Sequence, residues 1–270
     1  MIRLSISNIA WSSENDETIY SFMKELGFTG LEIAPTRIFP ETPYDRCPEA
    51  RDFMLDMRNR YGFAITSMQS IWYGRTEKIF GSESERRELT SYTEKAIIFA
   101  KNIGCGNLVF GCPKNRIMPE GADKAVAVEF FRHLGEFAKD NGTVIAMEPN
   151  PGIYGTNYIN TTKDALELIS EVDSEGFKLN LDMGTVIENG EDLTVLCEKP
   201  EIINHVHISE PYLEPVVKRK IHEDLRDLLL KVNYGGFVSI EMKKQDDTVK
   251  IKEIMEYVSD LFGESCKDVI

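Results

Sequence analysis

The chain is short of histidine, of tryptophan and of positive charge. It holds 4 histidines, 2 tryptophans and 31 Lys plus Arg against 45 Asp plus Glu. The formal net charge of −14 argues against the basic face that a reader of phosphate backbones carries, so no nucleic-acid partner is expected. No apolar run reaches the length of a membrane-spanning helix, so no membrane partner is expected either. The 5 cysteines (Cys47, Cys105, Cys112, Cys197, Cys266) are scattered, with no CxxC pair and no zinc-knuckle spacing. No leader-like segment precedes the first strand-like run, and a reducing, cytoplasmic compartment is the expectation. At 270 residues and 42% hydrophobic, the chain can build a core that needs no disulfide.

What is present is a rhythm. Short β-rich runs at about 2–7, 30–35, 64–69, 107–112, 143–149, 177–182, 203–209 and 236–242 alternate with amphipathic runs. The amphipathic runs fall near 14–26, 48–60, 82–102, 122–140, 161–172, 218–231 and 246–262, with a short sixth helix expected near 191–197. Gly27, Gly104 and Asn141-Gly142 stand where helices should stop before the next strand. Ser13 with Asp16, and Thr161 with Asp164, stand where helix N-caps belong. Strands alternating with helices imply a parallel sheet. Eight such units without a linker predict one (β/α)8 TIM barrel spanning 1–270, with a flexible tail after about 263.

Side chains alternate faces along a strand. If Glu148, Asp182, His207 and Glu241 face the barrel axis, then Met147, Leu181, Val206 and Ile240 face the helices, and all four are apolar. Ala146, Asn180, His205 and Ser239 then form an inner layer below. Three carboxylates converging in a low-dielectric interior repel one another and lose hydration. A divalent cation resolves that conflict, because it takes anionic oxygens and a neutral imidazole nitrogen. The spacings of 34, 25 and 34 residues between the four match successive strand–helix units. Barrel active sites lie at the C-terminal strand ends, where these residues fall.

Glu148-Pro149-Asn150, Leu179-Asn180-Leu181-Asp182, the run from His205 to Glu210 and the run from Tyr234 to Glu241 carry a resemblance, joined by Gly27 to Glu32 entering strand two. The chain resembles the xylose-isomerase-like TIM-barrel superfamily, and within it the sugar phosphate isomerase/epimerase branch. That branch includes ketose 3-epimerases, hydroxypyruvate isomerase and inosose dehydratase-like proteins. The resemblance implies that Glu148, Asp182, His207 and Glu241 bind Mn²⁺, Mg²⁺, Co²⁺ or Zn²⁺, and that Glu148 and Glu241 are also the acid/base pair. The implied activity is isomerisation or epimerisation of a small carbohydrate through a metal-chelated enediolate. The same ligands serve a dehydratase of a keto-inositol or keto-sugar, and a non-catalytic carbohydrate-binding protein is a third reading. A homo-oligomer is compatible with the branch. Ketose 3-epimerases keep a substrate-binding histidine three residues after the aspartate and an arginine six after the histidine ligand. Here those positions are Thr185 and Leu213. Four histidines do not suffice for the trinuclear zinc site of the endonuclease IV branch.

Further candidates follow from position. Glu32 faces inward near the mouth and is either a substrate contact or half of a buried ion pair. His205 reads as a residue supporting His207. Glu210 follows His207 in a loop and is open to orienting it, binding a substrate hydroxyl or facing solvent. Arg37, Arg75, Lys114 and Arg116 lie in loops after strands two to four and are candidates to hold an anionic substrate group. Trp72, with Tyr73 and Trp11, is a candidate wall for a sugar ring. Cys112 reads as packing. Lys218 and Arg219 are candidate replacements for the missing arginine.

Overall fold

The structure is a computed structural model, and it describes residues 2–263. Its strands are β1 Arg3–Ile6, β2 Gly30–Ile33, β3 Ala64–Met68, β4 Leu108–Phe110, β5 Ile145–Met147, β6 Phe177–Asp182, β7 Ile203–Ile208 and β8 Phe237–Ile240. The helices are α1 Asp16–Glu25, α2 Pro35–Ile38, α3 Cys47–Tyr61, α4 Glu83–Asn102, α5 Ala125–Asp140, α6 Thr162–Val172, α7 Met183–Asn189, α8 Lys220–Lys231 and α9 Thr248–Phe262. The sheet runs β1-β8-β7-β6-β5-β4-β3-β2, and its pairs are parallel. β1 and β2 meet through a single parallel bridge, Ser7 to Glu32. The result is a nearly closed (β/α)8 barrel. The tail expected after about 263 lies outside the described residues. No helix among the described residues is long and apolar enough to cross a membrane.

The helices bury the stripes their spacing predicts. α5 turns Ala127, Phe130, Phe131, Leu134 and Ala138 inward, a three-and-four spacing that makes one face. Phe131 packs edge-on to Phe110 of β4 at 4.8 Å and stacks on Phe177 of β6 at 5.0 Å. A ring so enclosed costs roughly 3–5 kcal/mol when truncated to Ala. The close approach of α5 to the start of β6 needs a glycine. A Cβ on Gly176 would lie 2.0 Å from the Gly135 carbonyl.

Two expectations are corrected. The sixth helix does not begin near 191. α7 starts directly after β6, because the Asp182 carboxylate caps it by accepting the Thr185 amide at 2.7 Å. Residues 193–196 form only a 3-10 turn. Ser13 is not the cap of α1 but lies in a 3-10 turn ahead of it. Its expected partner, Asp16, is occupied by the Trp11 indole at 2.7 Å and by Arg37 at 2.6 Å. Thr161 and Asp164 do form the capping box of α6. The mouth-side strand ends are shorter than the apolar runs, since Gly111 and the left-handed Cys112 (φ 45°) turn the chain out of β4.

Candidate active site

β5 to β8 carry the inward side chains. Asn180 pairs with His205 and Asp182 with His207 across β6 and β7. Met147, Leu181, Val206 and Ile240 are buried. Glu148 and Glu241 follow the last residues of β5 and β8, and their amides still donate to Phe110 and Ile208 at 3.0 Å. One donor atom from each of Glu148, Asp182, His207 and Glu241 lies within 4.8 Å of the others. All four residues are buried.

His207 is the hub. Its Nδ1 edge meets Glu148 Oε1 at 2.9 Å and Glu241 Oε2 at 3.2 Å. Its Nε2 edge meets Glu32 Oε2 at 2.9 Å. Burial alone would lower the His207 pKa, but Glu32 and Glu241 together with the bond to Glu148 hold it well above the ordinary imidazole range. A proton on Nδ1 would stand between the Glu148 and Glu241 carboxylates, at 2.9 and 3.2 Å. Burial works to raise the Glu32 pKa, yet His207 and His205 outweigh it and hold the carboxyl well below its usual range. Glu148 and Glu241 are shifted the other way. Burial raises both, and repulsion from neighbouring carboxylates adds to it. Burial, then Glu148, raises Asp182 to about 6. Lost hydration and mutual repulsion are what raise these three carboxyl groups.

The carboxylates are held individually. Asp182 accepts from the Thr185 amide at 2.7 Å, from the Thr185 hydroxyl at 2.8 Å and from the Ser209 hydroxyl. Glu148 accepts Asn180 Nδ2 on Oε1 at 2.8 Å and Asn150 Nδ2 on Oε2 at 3.2 Å. Asn180 belongs to the lower layer by sequence, yet its amide also lies 3.2 Å from His207 Nδ1. Barrel strands tilt by roughly 36°, so neighbours across a strand pair sit at different heights. Gly111 gives Glu148 its room, since a Cβ there would lie 2.7 Å from Glu148 Oε2.

A cavity of about 230 Å³ opens over the cluster. Glu148, Asp182 and Glu241 form its floor, and Gln69, Tyr154 and Leu213 stand at its sides. Arg37, Trp72, Arg75 and Lys114 are not among the residues lining it. Arg37 is paired with Asp16. Arg75 is paired with Glu77 and Glu88. Trp72 is buried against Phe110, with its indole on Thr93 at 2.8 Å. Lys114 is exposed in a 3-10 turn. Glu210 is buried and holds Arg219 in a two-pronged pair. Glu32 is wholly buried on the far edge of His207, its partners two histidines rather than a lysine or arginine. His205 lies 3.1 Å from the same Glu32 oxygen, beside His207 and outside the quartet. Cys112 lines the cavity, with its thiol pKa pushed by burial up to about 12. Asn150, Thr185, Ser209 and Arg116 hold the quartet in ways the sequence did not reveal. The inward register of Asn180 and Ser209 was the one available signal.

The sequence profile of the xylose isomerase-like TIM barrel family matches residues 21–261. The chain belongs to that family. It is 28% identical over 138 residues to an uncharacterized protein of Methanocaldococcus jannaschii, covering 48% of this chain and 47% of that one. The chain thus spans about half the length of that relative. It is 24% identical over 258 residues to an inosose dehydratase of Geobacillus thermodenitrificans, covering 87% of this chain and 79% of that one. Among solved structures, 3-keto-D-glucoside 4-epimerase of E. coli matches with a TM-score of 0.74 at 21% identity, over 96% of this chain and 99% of that one. D-psicose 3-epimerase of Clostridium cellulolyticum H10 matches with a TM-score of 0.79 at 14% identity, over 97% and 100%. At these identities the structural likeness is one of fold.

Proposed function

We infer that this chain is a divalent-metal-dependent isomerase or epimerase of a small sugar or sugar derivative, with Glu148 and Glu241 as acid and base. One observation carries the reading. Donor atoms of Glu148, Asp182, His207 and Glu241 converge within 4.8 Å, and the three carboxylates line a cavity at the barrel mouth. The donor set fits the ion, because three carboxylates and one imidazole suit Mn²⁺, Mg²⁺, Co²⁺ or Zn²⁺. His207 turns Nδ1 to the carboxylates while Glu32 holds Nε2, an arrangement that orients a ligating imidazole. When bound, the ion supplies polarisation of a substrate carbonyl and a share of the enediolate charge.

The chain's own groups handle the proton. Glu148 and Glu241 both border the cavity, where a carboxyl that gives and takes a substrate proton must stand. Proton removal by one and return by the other across the substrate plane inverts a carbon. Return to the adjacent carbon exchanges aldose and ketose. Gln69 and Tyr154 at the cavity sides offer hydrogen bonds to substrate hydroxyls. A second reading, dehydration of a keto-inositol or keto-sugar, is supported by the inosose dehydratase relative.

The test is incubation with candidate sugars and Mn²⁺ in D₂O, read by mass spectrometry and NMR. Deuterium uptake without loss of water supports the isomerase or epimerase, and loss of one water supports the dehydratase. Glu148→Gln and Glu241→Gln should abolish either turnover. Failure of the protein to bind any divalent ion, or to gain Tm from Mn²⁺, would sink both enzyme readings. Sugar binding that survives both Gln variants, without turnover in the parent, would leave a binding protein.

A further inference from the structure

The segment Gly111-Cys112-Pro113-Lys114-Asn115-Arg116 follows β4 and folds back on itself. Cys112 is left-handed, and Pro113–Asn115 make one 3-10 turn. That turn carries Arg116 from a solvent-facing loop to a position with 0% exposure. Arg116 makes no ion pair among the described residues. It donates instead to neutral acceptors around the first glutamate of the quartet. Nη1 lies 2.6 Å from the Gly111 carbonyl and 3.0 Å from the Glu148 carbonyl. Nη2 lies 3.0 Å from Asn150 Oδ1 and 3.1 Å from the Ile159 carbonyl. A buried guanidinium without a carboxylate partner is expensive, so its retention here calls for a reason.

The donor chemistry supplies one. A guanidinium only donates, so the Asn150 oxygen must face Arg116. The Asn150 amide nitrogen must then face the other way, where it meets Glu148 Oε2 at 3.2 Å. Gly111, whose carbonyl Arg116 also grips, is the residue whose missing Cβ leaves space for that same Glu148 oxygen. Burial lowers the Arg116 pKa to about 10, which leaves it charged at neutral pH. Three carboxylates around one divalent ion retain excess negative charge, and a fixed cation behind Glu148 offsets it.

We propose that Arg116 is a positioning residue for the metal centre, acting through Asn150. It fixes the amide orientation, pins both carbonyls beside Glu148 and holds the Glu148 carboxylate as an acceptor aimed at the ion. The proposal rests on the metal reading above, since that reading gives Glu148 its ligand role.

The test is a double-mutant cycle of Arg116→Met and Asn150→Ala. Mn²⁺ affinity is read by calorimetry, and thermal stability is read separately in EDTA. Each single variant should weaken Mn²⁺ binding about tenfold or more, as the loss of groups that orient a ligand does. The double variant should bind no more weakly than the worse single variant, because both changes break one chain of contacts. Arg116→Lys should not rescue, since one ammonium cannot reach four acceptors. A merely structural role would lower Tm in EDTA and leave Mn²⁺ affinity within twofold, and that result overturns the proposal. Additive losses overturn the relay through Asn150. If Arg116→Met does not fold, Asn150→Ala alone decides, since unchanged Mn²⁺ affinity there also overturns it. If the parent binds no divalent ion, the metal reading fails, and the cycle in EDTA still reads the link. Additive Tm losses there reject it.

Discussion

Replacing Glu32 by Gln changes charge at the base of the site while keeping shape. In the parent, Glu32 Oε2 accepts from His207 Nε2 at 2.9 Å, and Oε1 has no hydrogen-bond partner. A glutamine oxygen can take the Oε2 position, with the amide nitrogen at the vacant Oε1 position. The hydrogen bond survives, but the fold should lose about 1–3 kcal/mol, from an unpaired buried donor and from the lost charge beside His207. What disappears is the negative charge that raises the basicity of the imidazole toward the ion. Groups of this kind are worth roughly 10–100-fold in metal affinity, or about 1.4–2.7 kcal/mol at 1.36 kcal/mol per tenfold. Glu32→Ala adds a cavity and leaves His207 Nε2 without its acceptor, so it should lose stability by about 2–4 kcal/mol as well. Calorimetric titration with Mn²⁺ at pH 7.5 and urea unfolding in EDTA separate the two effects. The expected pattern is weak binding with a moderate loss of stability for the Gln variant, and weak binding with a larger loss of stability for the Ala variant. Parental Mn²⁺ affinity in a folded Glu32→Gln protein would refute the reasoning, because the charge would then have no influence on His207 as a ligand.

Other consequences of the geometry are open to direct measurement. Ion binding must expel the proton that Glu32, Glu148 and Glu241 hold on His207. Titration of Mn²⁺ at pH 7 in two buffers of different ionisation enthalpy should therefore show release of about one proton per ion. A group with a raised folded pKa stabilises the ion-free fold below its unfolded value, and that contribution is lost as pH rises through the folded one. Below about pH 6, Asp182 also holds a proton in the ion-free protein. The Tm gain from Mn²⁺ should thus grow from pH 5 to pH 7.5, and a flat profile would count against the raised pKa values. Gly111→Ala sets a Cβ 2.7 Å from Glu148 Oε2, so Mn²⁺ affinity and turnover should fall tenfold or more with little change in ion-free Tm. Thr185→Val keeps the volume but removes the hydroxyl shared between Asp182 and the Pro149 carbonyl, each at 2.8 Å. It should cost about 1–3 kcal/mol in urea unfolding and weaken the ion.

The barrel and the quartet were legible because both are written in local periodicity. Strand side chains repeat every two residues, so an apolar Met147, Leu181, Val206 or Ile240 on one face reveals the polar residue on the other. The loops follow no such period. Arg37 and Arg75 read as free cations above a pocket, yet each is neutralised by an acid, Asp16 or Glu77, that the fold brings alongside. Arg116 reads like its neighbour Lys114, and only the turn after Cys112 separates the buried one from the exposed one. The start of α7 escaped notice for a related reason. Asp182 both caps that helix and belongs to the quartet, and a residue with two duties shows only one of them in the sequence.

Thr185 and Leu213 carry the remaining distinction. By resemblance, ketose 3-epimerases keep a polar substrate contact at each position. Here the Thr185 hydroxyl bonds Asp182 and the Pro149 carbonyl, so it secures the Asp182 carboxylate. Leu213 lines the cavity on a strained backbone, with Tyr212 at φ 61° and Leu213 at φ 53°. A left-handed non-glycine residue costs roughly 1–2 kcal/mol, and two in succession persist only where neighbours hold them. The holds are present. Tyr154 Oη accepts the Tyr212 amide at 2.8 Å, and the Leu213 carbonyl accepts the Lys243 amide at 2.7 Å. This strain brings the Leu213 isobutyl group to the cavity that Tyr154 and Gln69 also line. The two positions thus differ in placement: Thr185 is bonded to the Asp182 carboxylate, and Leu213 borders the cavity.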